Sequence, residues 1–179
     1  MGHRRKALSF CLGVESGFSP KDKAEGTNIM AKQQTDKYML SLAGDHAVCS
    51  ELLKRKIPCT LTFGNAKAAD VIIAVPNVKT QIVEVKTSSS NRFVTGFFQK
   101  YPTPQTVPHP DFWVVVRIDS ISHATRFFVL THSEMAKVQM LRNKMRKWSR
   151  VNGVDNVLLK HVIPFENRWD KIAKLFPST

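Results

Sequence analysis

Two short apolar runs carry charged residues where none is expected: Ala69-Asp70-Val71-Ile72 and Ile82-Val83-Glu84-Val85-Lys86-Thr87. A carboxylate in such company is costly without a partner. Two carboxylates at about 4 Å repel by about 4 kcal/mol at an effective dielectric of about 20. A divalent cation between Asp70 and Glu84 would turn that repulsion into a binding site, and oxygen-only ligands suit Mg²⁺ or Mn²⁺ more than zinc. Alternation along a strand puts Glu84 and Lys86 on one face, so the Lys86 ammonium would lie within reach of an ion held by Glu84. That combination suits phosphodiester hydrolysis, with a cation to neutralise phosphoryl charge and acidify water. Lys86 would orient the water or stabilise the pentacovalent state.

Elements must bring these residues together. Leu40, Leu42, Ala43, Ala47, Val48, Leu52 and Leu53 recur near helical spacing and predict a helix over 36–55, ended by Pro58. Runs rich in β-branched residues predict strands at 59–63, 68–75 and 81–87, separated by Gly64-Asn65 and Pro76-Asn77. The second and third are apolar on both faces and belong inside a covered sheet. For Asp70 to share a face with Glu84, their hairpin needs an odd number of loop residues or a bulge.

A polar, proline-rich stretch over 88–110 follows, with a helical turn at 97–101. Strands at 112–118 and 126–130 then form a hairpin. Thr131-His132-Ser133-Glu134 has the form of a capping box and opens a helix predicted to run to about Arg150. A strand at 157–163 and a helix at 166–176 complete the order.

A helix, a strand, a strand with Asp and a strand ending Glu84-Val85-Lys86-Thr87 resembles the PD-(D/E)XK nucleases, which include restriction endonucleases and Holliday-junction resolvases. The resemblance covers 44–87, with Ala69 replacing the motif's proline. It implies an α/β fold of the restriction-endonuclease-like αβββαβ type, a central mixed sheet flanked by helices. It also implies Mg²⁺ or Mn²⁺ held by Asp70, Glu84 and the Val85 carbonyl, with Lys86 activating water. The family often adds an acid from the preceding helix, and Asp45 or Glu51 could serve. Gly44-Asp45-His46-Ala47 matches a Gly-Glu-x-x-Ala pattern. At 100° per residue Asp45 falls on the apolar stripe with Val48, Cys49 and Leu52, so Asp45 is preferred over Glu51. Gln99 and Lys100 correspond to a glutamine or lysine that some relatives use. A homodimer is a further analogy, because many superfamily enzymes cut two strands.

The bulk properties agree with a polyanionic partner. Lysine and arginine number 27 against 14 acidic residues, giving a charge of +13 and a pI near 10.0, which favours DNA through counterion release. Ser88 and Arg92 follow the Lys86 strand directly. Arg142, Lys144, Arg146, Lys147 and Arg150 crowd the 134–150 segment beside Trp148. Ser88, Arg92, Lys144 and Lys147 are therefore the expected nucleic-acid contacts.

Cys11, Cys49 and Cys59 are too few and scattered for a disulfide framework, and no CxxC pair offers a zinc site. No apolar run is long enough to span a membrane. A basic start followed by apolar 7–14 imitates a signal peptide but lacks a cleavage site, so a cytoplasmic location is expected. Residues 1–29 lack periodicity and are expected to be a disordered extension ahead of one domain at 30–179, with Met30 as an alternative start. Two function classes fit: a metal-dependent endonuclease acting on DNA, and a DNA-binding or assembly module that keeps the fold without cleaving. RNA is a third substrate possibility.

Overall fold

The computed structural model describes residues 20–62, 69–76, 78–145, 147–148 and 153–176, with side chains from Gln33 onward. The chain divides into a unit of Met1–Asp36 and a unit of Lys37–Thr179. Within the first, the described residues belong to helix α1, Pro20–Lys54. The disordered extension expected over 1–29 is thus helical from Pro20. Proline is tolerated at a helix's first position, and Lys21, Lys23, Ala24 and Glu25 are good helix formers. Residues 1–19 lie outside the described residues.

The second unit is a mixed α/β fold. Strands β1 (Cys59–Leu61), β2 (Val71–Ile73), β3 (Gln81–Ser88), β5 (Phe112–Ile118) and β6 (Thr125–Thr131) form a sheet in the order β1-β2-β3-β5-β6. The β3–β5 pair is parallel and the others antiparallel. A second sheet pairs β4 (Arg92–Val94) with β7 (Asn156–Leu158). Helices α2 (Phe97–Lys100), α3 (His132–Arg142), α4 (Leu159–Val162) and α5 (Asp170–Ala173) complete the order. The sheet is central, mixed and flanked by helices. Between β3 and β5 stand the extra strand β4 and a helix of four residues, more than an αβββαβ order contains.

Alternation divides the core. Val71, Ile73, Val83, Val85, Val114 and Val116 pack with Val48 and Leu52 of α1 and with Trp169 and Ile172. Trp113, Val115, Phe128 and Leu130 pack with Phe93, Phe97, Phe98, Met135, Val138 and Val157. Burying a side chain of this size stabilises by roughly 1.5–3 kcal/mol.

Two helix ends differ from what glycine and proline signals predict. The Ile57 amide donates to Leu52 O and the Lys56 amide to Leu53 O, with Lys56 at φ 60°. The Met145 amide donates to Met140 O and the Lys144 amide to Leu141 O, with Lys144 at φ 55°. Both are Schellman caps with lysine in the left-handed position. The second ends α3 at Arg142, short of the predicted Arg150. The capping box is present: Thr131 Oγ1 accepts from the Glu134 amide at 3.2 Å, and a Glu134 carboxylate oxygen accepts from the Thr131 amide at 2.8 Å. The strand predicted at 157–163 is three residues long and runs into α4. The final helix predicted from 166 is regular only over Asp170–Ala173. The Gly64-Asn65 turn, Arg146 and Arg150 lie outside the described residues.

Candidate active site

Glu84 sits mid-strand on β3 and is 2% exposed. Its register partner on β5 is Trp113, and the partner of Lys86 is Val115, so both side chains belong to the face built around Trp113. One oxygen of Glu84, Oε1, takes two ammonium groups: Lys86 Nζ at 2.6 Å and Lys100 Nζ at 2.5 Å. Burial alone would raise the Glu84 pKa, but Lys86 and Lys100 overcome it and hold the carboxyl below its usual range.

Asp70 immediately precedes β2. The β2–β3 register runs from Ile73 with Gln81 to Val71 with Val83, leaving an odd number of residues between the strands. The ladder ends there, with the Asp70 amide donating to Val83 O. Asp70 Oδ2 accepts from the Val85 amide at 2.7 Å. Burial raises the Asp70 pKa, with Lys86 opposing and Glu84 adding to the rise.

Asp45 lies on α1. Its pKa is pushed up to about 7, first by burial and then by Asp70, against the pull of Lys86. Its Oδ1 is buried without a hydrogen-bond partner. The close approach of α1 to β3 requires Gly44, where an added Cβ would lie 2.8 Å from Thr87 Cβ and overlap Thr87 Oγ1. Glu51 does not join the group, being paired with Lys54 at 2.8 Å and Arg55 at 2.6 Å on the exposed side of the helix.

The structure therefore joins Glu84, Lys86 and Lys100 directly and sets Asp70 against the Val85 amide of the same strand. The Gln99 side-chain amide donates to the Gly153 carbonyl, while the adjacent Lys100 takes Glu84. Of the expected nucleic-acid contacts, Ser88 Oγ lies 3.0 Å from Ser90 Oγ and also accepts from the Ser90 amide. Arg92, Lys144 and Lys147 are exposed. Lys144 and Lys147 lie beyond the end of α3.

A buried network that the sequence does not announce supports α2. Asp155, 2% exposed, accepts from the Phe98 amide at 2.6 Å through Oδ2 and from Asn143 Nδ2 at 2.9 Å through Oδ1. Its carbonyl accepts from the Thr95 and Gly96 amides. Thr95 Oγ1 donates to Gln139 Oε1 at 2.7 Å, and Gln139 Nε2 donates to Asn143 Oδ1 at 3.1 Å. Asp155 lies 57 residues from the amide it caps, too far for any local motif.

Among the described residues no three His, Cys, Asp or Glu side chains are grouped closely enough to hold a metal ion by themselves. The donor set near Glu84 is two carboxylates and strand backbone. The orphaned Asp45 Oδ1 and the mutual repulsion of the acids fit an added hard cation.

No protein-family model matches the chain, and no curated protein matches it. A solved structure of a bacterial homing endonuclease, I-Ssp6803I, is similar at 12% identity and a TM-score of 0.47, covering 76% of this chain and 91% of that one. No described helix is long and apolar enough to cross a membrane.

Proposed function

We propose that the chain is a metal-dependent endonuclease of the PD-(D/E)XK type that hydrolyses phosphodiester bonds in DNA. The observation that carries this reading is the buried Glu84 with the Lys86 ammonium on its Oε1 and Asp70 bonded to the next residue of the same strand, Val85. Asp70, Glu84 and the Val85 carbonyl would hold Mg²⁺ or Mn²⁺. When bound, such an ion supplies Lewis-acid chemistry, withdrawing charge from phosphoryl oxygens and making nearby water more acidic. Lys86 orients the attacking water and donates to the phosphoryl oxygen that gains charge. Asp45 supports the ion through its free oxygen. The excess of basic residues, 27 against 14 acidic, draws the polyanion in.

Cleavage of plasmid DNA in Mg²⁺ tests the reading. Lys86→Ala should lower the rate by at least about 100-fold while circular dichroism stays unchanged. Undiminished metal-dependent cleavage by that variant would refute it. RNA offered in parallel settles the polymer. The two-lysine clamp on Glu84 favours a second reading, a module that binds DNA without cutting. Such a module should take up no Mn²⁺ at Asp70 and Glu84 in a calorimetric titration.

A further inference from the structure

We propose that Lys100 is a resident counter-cation on Glu84 that a divalent ion must displace, and that the Asp155 cap on α2 sets how firmly it is held. The inference rests on the metal-dependent reading above and concerns the state of that site before the ion arrives.

Two ammonium groups share a single carboxylate oxygen, Lys100 Nζ at 2.5 Å and Lys86 Nζ at 2.6 Å. Such an arrangement is self-repelling. It persists because Glu84, 2% exposed, has little water to draw on and needs a counter-charge. The lysines stabilise a buried carboxylate while no metal is present. A divalent ion on Glu84 would add two positive charges beside the two ammonium groups already on its Oε1, so one lysine must give way.

The geometry identifies which lysine yields. Lys86 is two residues from Glu84 on the same strand, and its side chain is 22% exposed. The Lys100 side chain is 44% exposed and stands in the last turn of a four-residue helix. Retraction of Lys100 into solvent disturbs no strand, and the released ammonium becomes available to a phosphate.

The helix that presents Lys100 has no cap of its own. Gly96 at its N-cap has φ 59° and no side chain to accept the first amides. Asp155 supplies that acceptor and joins it to Asn143 at the end of α3. Asp155 is thus a positioning residue, acting on the site only through α2 and Lys100.

Calorimetric titration of the full chain with Mn²⁺ tests the proposal, using wild type, Lys100→Met, Lys100→Arg and Asp155→Ala. Lys100→Met should bind Mn²⁺ about tenfold more tightly, a gain of about 1.4 kcal/mol. Lys100→Arg should stay near wild type. Asp155→Ala should fall between them and show faster hydrogen exchange at the Phe98 amide, a readout independent of catalysis. Unchanged or weaker Mn²⁺ binding by Lys100→Met would overturn the displacement proposal while leaving the metal reading intact. An absence of Mn²⁺ binding in all four proteins would overturn both. Should Asp155→Ala fail to fold, the comparison of Lys100→Met with Lys100→Arg still decides the question, because that half-exposed side chain carries no core packing.

Discussion

Asp45 is held in the fold at a cost. Burial, and then the Asp70 charge, raise its pKa from 3.8 to about 7, so the folded protein favours its neutral form. Its favourable contribution is complete below pH 4 and is lost as pH rises through 7. In chelator at pH 8, Asp45→Asn should therefore stabilise the protein by about 2 kcal/mol after allowance for solvent screening. Urea denaturation measures it, and a destabilised variant would show that Asp45 is satisfied in the absence of metal. His132 behaves in the opposite sense. Burial, followed by His109 stacked at 4.2 Å, lowers its pKa from 6.5 to about 4, and its Nδ1 lies 3.3 Å from Trp113 Nε1, where it must accept. The neutral ring supports the fold above pH 6.5, and that support is lost as pH falls toward 4. Imidazole NMR shifts at pH 5.5 should report a neutral His132, and a ring already protonated there would contradict this account.

Between elements, the contact of α1 with β3 is the tightest constraint on the site. Gly44→Ala should cost about 2 kcal/mol or more through overpacking, and Thr87→Ala should recover part of the loss, as thermal melts of the single and double variants would show. Full additivity of the two would mean that they do not touch. Strand alternation placed Glu84 and Lys86 on one face from sequence, and the Gly44-Asp45-His46-Ala47 pattern together with helical angle favoured Asp45 over Glu51. The capping box opening α3 was equally plain. The end of α3 was not, because Lys144 takes a left-handed conformation that sequence rules reserve for glycine or asparagine. Strand β4 was hidden as well: three residues inside a polar stretch, paired with β7, have no period to detect. Asp155 stayed invisible because it caps an amide 57 positions earlier, and hydrogen bonds of that span follow from topology rather than spacing.

Over the whole molecule, the C-terminal segment is tied to the sheet by a partly buried ion pair. Lys171, 7% exposed, donates to Glu134 at 2.6 Å and to Val129 O at 3.2 Å, joining α5 to the capping box of α3. Glu134→Ala would leave that ammonium without its charge partner and remove a helix cap, costing about 3 kcal/mol or more. Lys171→Met should cost less, since it removes the buried cation while the Glu134 carboxylate keeps the Thr131 amide. Chemical denaturation of both variants ranks them, and the reverse order would place the main load on the lysine. The parallel pairing of β3 with β5 has a further effect, on order of synthesis. A ribosome delivers the residues of β3 well before those of β5, which follow after β4 and α2. Until Phe112–Ile118 emerges, the strand carrying Glu84 and Lys86 has β2 on one side and an open edge on the other. A nascent chain paused in that interval would offer an apolar strand edge to its neighbours while its chemistry is half assembled.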